Sequence, residues 1–172
     1  MKRHIFIIIF LMVSLVSCKS KKATEFREAI AQKERTAFQI LVGKGGPEEE
    51  KLTCLVNNDF SGALRAVDKQ EQAFDSIIRE ITALPAEGIS EGAALKTAAI
   101  NYYMSVKDLQ VFDRRIIAAQ QAMHQTNADS IENAQDKLLL LQKEKLTMSG
   151  VRNEKRTALQ EAIGKFNKAN DL

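Results

Sequence analysis

From Ile131 to Ala169 a strict step of three and four residues visits Ile131, Ala134, Leu138, Leu141, Lys145, Met148, Arg152, Lys155, Leu159, Ala162, Phe166 and Ala169, and nine of these twelve positions are apolar. Only a helix of 3.6 residues per turn gathers residues at that spacing onto one side. The chain has two prolines, Pro47 and Pro85, and both fall in connections between such segments. Strand signals are scarce, since no segment alternates apolar and polar for long and aromatics make up 6% of the residues. The expected fold is all-α, an elongated antiparallel bundle of three to four long helices. An unbroken final helix would be about 60 Å long, and helices of that length joined by short turns pack antiparallel.

The other helices follow from the same reading. The first is expected to start at a Thr24 cap and to turn Phe26, Ile30, Ala37 and Leu41 inward, until Gly43-Lys-Gly-Gly-Pro47 breaks it. Pro47 followed by three glutamates suits the first turn of a short helix, because proline fits N1 and acids favour the positive end. Asn57-Asn58-Asp59 reads as a pause and a fresh cap. Phe60, Leu64, Val67, Phe74, Ile78 and Ile81 then form the next stripe, closed by Leu84-Pro85. Gly88 to Gly92 is the following connection, with Ser90 as its expected cap. A single helix is expected to carry Leu95, Ala98, Tyr102, Val106, Leu109, Phe112, Ile116 and Met123, with a turn at Thr126-Asn127. In that register Tyr102 belongs to the core and Tyr103 to its edge, where a tyrosine with an apolar body and polar tip either packs at a bundle seam, the reading preferred, or serves a contact surface.

The three failures of the final stripe, Lys145, Arg152 and Lys155, flank Gly150. Burying three unpaired cations is too costly to accept, and glycine costs about 1 kcal/mol relative to alanine within a helix. The segment 145–155 is therefore expected to overhang the shorter helices or to open locally, while Ile131–Leu141 and Leu159–Phe166 stay packed. Lys145, Arg152, Lys155 and Tyr103 are the candidate partner contacts, although a merely frayed helix explains the basic segment equally well.

At the amino terminus the basic Lys2-Arg3 precedes an apolar run, and Leu15-Val16-Ser17-Cys18 follows it. A basic start, a short apolar core and a small residue before the cut describe an export signal. The twelve residues from Ile5 to Val16 are too few to span a bilayer, which needs about 20. The aliphatic-aliphatic-small-Cys pattern resembles the lipobox of bacterial lipoproteins. That resemblance implies cleavage before Cys18, a diacylglycerol on its thiol, and a palmitate-type acyl chain on the new amino terminus. The implied organisation is a signal peptide over 1–17, a lipidated Cys18 with a polar tether over 18–23, and a helical domain over 24–172.

Removing residues 1–17 takes away Lys2 and Arg3 and leaves 23 basic and 22 acidic side chains. Charges of both signs alternate along the helices, so nucleic acid is not an expected partner. Cys54 would remain without a disulfide partner, among apolar neighbours; a small packing residue and a reactive thiol are both open readings.

Catalytic constellations are missing from the sequence. After the signal His124 is the only histidine, and neither paired metal-binding histidines nor Cys-x-x-Cys occurs. Gly43-Lys44-Gly45-Gly46 lacks the Gly-Lys-Ser/Thr order of a phosphate loop and reads as a turn. Glu48, Glu49 and Glu50 point in different directions around a helix. No catalytic residue, no metal ligand and no cofactor is expected, and the chain is not expected to be an enzyme.

The Leu-Pro helix end followed by Leu95-Lys-Thr-Ala-Ala-Ile-Asn-Tyr-Tyr103 resembles a family of uncharacterised helical surface lipoproteins of Gram-negative bacteria. That likeness implies a helical bundle in the cell envelope and points to no particular activity. The function expected is a membrane-anchored scaffold or binding module with membrane lipid and a second protein as partners. An inhibitor or immunity-type lipoprotein and a small-ligand carrier are the alternatives. Lys19 after the lipidated cysteine, where an inner-membrane retention signal carries Asp, points to the outer membrane facing the periplasm, with surface display the competing location.

Overall fold

The computed structural model describes the backbone of residues 2–124 and 131–172 and the side chains of 21–124 and 131–172; the turn expected at Thr126-Asn127 lies outside the described residues. All described elements are α-helices: α1 (Lys2–Val42), α2 (Pro47–Val56), α3 (Phe60–Ala83), α4 (Gly92–Val111), α5 (Asp113–His124) and α6 (Ile131–Ala169). They form four antiparallel arms, α1 with α2, α3, α4 with α5, and α6. Paired side chains fix the directions. Lys33 of α1 meets Glu80 of α3, Lys107 of α4 meets Asp75 of α3 at 2.8 Å, and Asn170 beyond α6 donates to the Ser90 carbonyl before α4 at 2.9 Å.

The connections form largely for the expected reasons. α1 ends at Val42, and Gly45 at φ 72 supplies the left-handed turn that leads to Pro47 at the start of α2. Asp59 caps α3 by accepting from the Gly62 amide at 2.8 Å. Leu84 leaves the helical region at φ −63, ψ 129, just before Pro85.

Four expectations need correction. First, α1 does not begin at Thr24. No glycine or proline interrupts Lys2–Val42, so the helix runs through the stretch expected as a tether, and Ala23 is already fully buried. Second, Ser90 does not cap α4. Glu91 occupies that position at φ 58 without a side-chain cap, and the Ser90 carbonyl is bound by Asn170. Third, the single helix expected over 95–123 is divided at Phe112. There the Arg115 amide reaches the Phe112 carbonyl at 3.0 Å, a tighter i→i+3 bond. The inward stripe runs Leu95, Ala99, Tyr103, Val106, Leu109, Phe112 and Ile117. Two successive steps of four put Tyr103 inside, at 1% exposure, and leave Tyr102 half-buried. Neighbouring Ala98 and Ala99, like the two tyrosines, offered both phases at equal polarity. Fourth, α6 is helical throughout 131–169 and the 145–155 segment lies along α4 and α5 rather than beyond them. Its expected packed start is also looser than read, because Ile131 is exposed and Leu141 is the first fully covered residue.

The main core joins four helices: Phe26 and Ile30 from α1, Phe74, Ile77 and Ile81 from α3, Leu95, Ala99 and Tyr103 from α4, Leu159 and Phe166 from α6. Phe26 and Phe166 stack with centroids 5.7 Å apart. Two smaller clusters hold the other half, Ala63, Val67 and Ile117 in one, Phe112, Ala119 and Leu141 in the other. Among the described residues no helix is long and apolar enough to cross a membrane.

Candidate functional site

The least expected feature is a layer of charge inside the second half. Lys51 of α2 is buried, and its ammonium donates to Asp113 Oδ2 of α5 at 2.5 Å and lies 2.9 Å from Glu48 Oε2. Lys145 of α6 binds the other oxygen of Asp113. Buried Gln70 of α3 donates to Glu48 Oε2 at 2.6 Å, while its own Oε1 has no hydrogen-bond partner. The break at Phe112 starts α5 at Asp113 and turns that carboxylate inward. Two cations face two carboxylates, so the layer is neutral overall. Every charged member is held by an opposite charge, which suits fixing helices to one another rather than moving protons. Among the described residues no three His, Cys, Asp or Glu side chains are grouped to hold a metal ion.

The expected contact residues are not brought together on one surface. Lys145 turns inward to Asp113. Arg152 is half-buried, its Nη2 donating to Asn153 Oδ1 at 2.9 Å and its enclosed Nε without an acceptor. Lys155 is exposed at the edge of an open groove of about 510 Å³, across from Ala93, Ala94 and Ala98 of α4. Tyr103, expected at an edge, lies in the core, and burial pushes its phenol far above the usual range. The side chain of Cys18 lies outside the described residues.

Cys54 is half-buried and unbridged beside Gly62 and Asp59. Burial first, then the negative charge and hydrogen bond of Asp59, raise its thiol above the ordinary value. A thiol held in the protonated form is a poor nucleophile. His124 packs edge-on against Phe60, with centroids 5.8 Å apart.

Two apolar surfaces face water instead. On the first, Phe38 and Val42 end α1, and Leu52 and Val56 continue on α2. Phe38 and Val42 lie one turn apart on α1, and Leu52 and Val56 one turn apart on α2. Val42 and Leu52 border one groove of about 350 Å³, together with Lys44, Glu48 and Glu49, so the two apolar pairs adjoin there as a ridge. Phe38 is 61% exposed and Val56 82%. The second is the outward side of α6, with Leu139, Leu140, Leu146 and Val151. Contiguous apolar patches on soluble proteins mark contact sites, whereas isolated exposed residues do not. The ridge went unseen in the sequence because Leu41 and Val42, or Leu52 and Leu55, are equally apolar and only packing decides which faces out.

No protein-family model, no curated protein and no solved structure matches the chain.

Proposed function

We propose that this chain is a lipid-anchored protein of the cell envelope that holds a second protein against the membrane and performs no chemistry. The observation that carries the binding part is the ridge Phe38–Val42–Leu52–Val56, which crosses from α1 to α2 and lies open to water. The anchoring part rests on Leu15-Val16-Ser17-Cys18 after a basic and apolar leader. Acyl chains bind a bilayer with about 0.8 kcal/mol per buried methylene, so two or three of them hold durably. The outer membrane facing the periplasm is the location that Lys19 favours. The grooves that border described residues are open on the surface, which suits a protein partner better than a carried small molecule.

Two measurements test the two parts separately. Cys18→Ala should abolish fatty-acid labelling and leave the uncut precursor; labelling as strong as in the parent chain would sink the anchor. A photoreactive side chain at Leu52 or Val56 should capture one protein of defined mass in intact cells, and one at Glu28, exposed on α1, should not. Equal, diffuse capture at all three positions would remove the ridge as a binding surface.

A further inference from the structure

The outward side of α6 is a second, independent surface. At 100° per residue, Leu139, Lys143, Leu146 and Gly150 fall on one side of the helix, flanked by Leu140, Val151 and Glu154. Leu146 is 74% exposed and Leu140 66%, although the opposite side of the same helix supplies Leu141, Leu159 and Phe166 to the cores. A Cβ built on Gly150 meets no atom within 4 Å, so the backbone there is bare to an approaching surface. Glu144 pairs with Arg115 and Lys145 with Asp113, whereas charges of this side, Lys143 and Glu154 near Gly150 and Glu132, Asp136, Glu161 and Lys165 farther out, have no ion pair among the described residues.

We infer that this side of α6 pairs with the same side of a second copy of the chain, the two helices running antiparallel. A self-complementary face closes into a two-fold dimer when each half supplies what the other lacks. Here an unpaired cation lies on the amino-terminal side of Gly150 and an unpaired anion on its carboxyl-terminal side. An antiparallel copy brings Lys143 against the second copy's Glu154 and, farther out, Glu132 against Lys165, each twice, which together outnumber the like-charge meeting of Asp136 with Glu161 in the same register. A parallel copy would set lysine against lysine and glutamate against glutamate, which disfavours that arrangement. The bare backbone at Gly150 lies within about one turn of the midpoint between the two charges, where the helices approach most closely.

The full chain in mild detergent, followed by sedimentation at increasing concentration, tests the pairing. The parent chain should pass from one copy to two, and Leu146→Asp should raise the Kd about tenfold or more, as expected for a central apolar contact. Circular dichroism should show unchanged helix, because Leu146 touches little of its own chain. Lys143→Glu and Glu154→Lys should each weaken pairing alone. The double variant, and an equal mixture of the two single variants, should restore it. A chain that stays single at every concentration overturns the proposal. So does a dimer that Leu146→Asp leaves intact, which would place the contact elsewhere, such as the apolar leader. Single charge changes that the swap fails to rescue overturn the antiparallel arrangement.

Discussion

The half of the bundle around Phe26, Phe74, Leu95 and Phe166 is closed by apolar side chains from four helices, whereas the half containing α2 and α5 is closed around Lys51 and Asp113. In the first half the ion pairs stand at the surface, as Lys33–Glu80 and Lys107–Asp75 do. The second half has surface pairs too, such as Lys69–Glu50 and Arg115–Glu144, but it also encloses Lys51–Asp113 between helices, and the apolar residues around that pair divide into two small clusters. Apolar burial is non-directional and tolerates small shifts of one helix along another. A buried ammonium that must meet particular oxygens does not. The first half therefore supplies most of the stability, and the second fixes where α2 and α5 sit.

The sharpest way to break that contrast is to damage each half in turn. Phe74→Ala should cost about 4 kcal/mol in urea unfolding, the largest effect expected, because it empties the centre of a four-helix core. Should it cost under about 1 kcal/mol, the apolar half is not the main source of stability. Asp113→Ala should cost about 3 kcal/mol, since Lys51 is left buried beside a lost partner. The double change Lys51→Met and Asp113→Leu should recover at least half of that loss, as ion pairs replaced by apolar groups often do. A double variant worse than the single would mean that the layer contributes net stability of its own.

Smaller effects refine the comparison. Asp59→Ala removes the cap of α3 at the end near Cys54 and should cost about 1 kcal/mol, read as a lower midpoint. The pH dependence of the apolar half should be slight. The hydrogen bond from Lys33, then that from Ser76, lowers the Glu80 carboxyl below its ordinary value. Its contribution is present above the ordinary carboxylate range and is lost as pH falls through the lowered folded value. Because half of the Glu80 side chain is exposed, Glu80→Gln should cost under about 1 kcal/mol at neutral pH. A larger loss, or none of the acid dependence, would show that the surface pairs of this half are not peripheral.

How much of this was legible in the sequence depends on the range of the interaction. Helix ends at Val42, Leu84 and Asp59 were readable because glycine, proline and capping side chains act on their own backbone. The inward faces of α1 and α3 were readable at Phe26, Val67, Phe74 and Ile81, which stand beside charged residues. At Ile40-Leu41 and Ile77-Ile78, by contrast, two adjacent apolar residues hid that Ile40 and Ile77, not Leu41 and Ile78, are the buried ones. On α4 the pairs Ala98–Ala99 and Tyr102–Tyr103 removed that contrast, and the phase was set by the tertiary contacts of Tyr103. The cap at Ser90 failed because Glu91, in a left-handed backbone conformation at φ 58, takes the position before α4 instead. The ionic layer was hidden by the range of its contacts. Lys51 and Asp113 are 62 positions apart, and Lys145 looked like a defect of its own helix until a partner from α5 made it a participant.

The continuity of α1 changes the picture of how such a molecule would stand on a bilayer. Cys18 and the buried Ala23 belong to one helix, about 8 Å apart along its axis. A chain acylated at Cys18 would have a stiff post there instead of a leash. Its tilt would be passed directly to Phe26 and Phe166, and its sweep would be short. Anything it holds would have to come close to the lipid surface to be met.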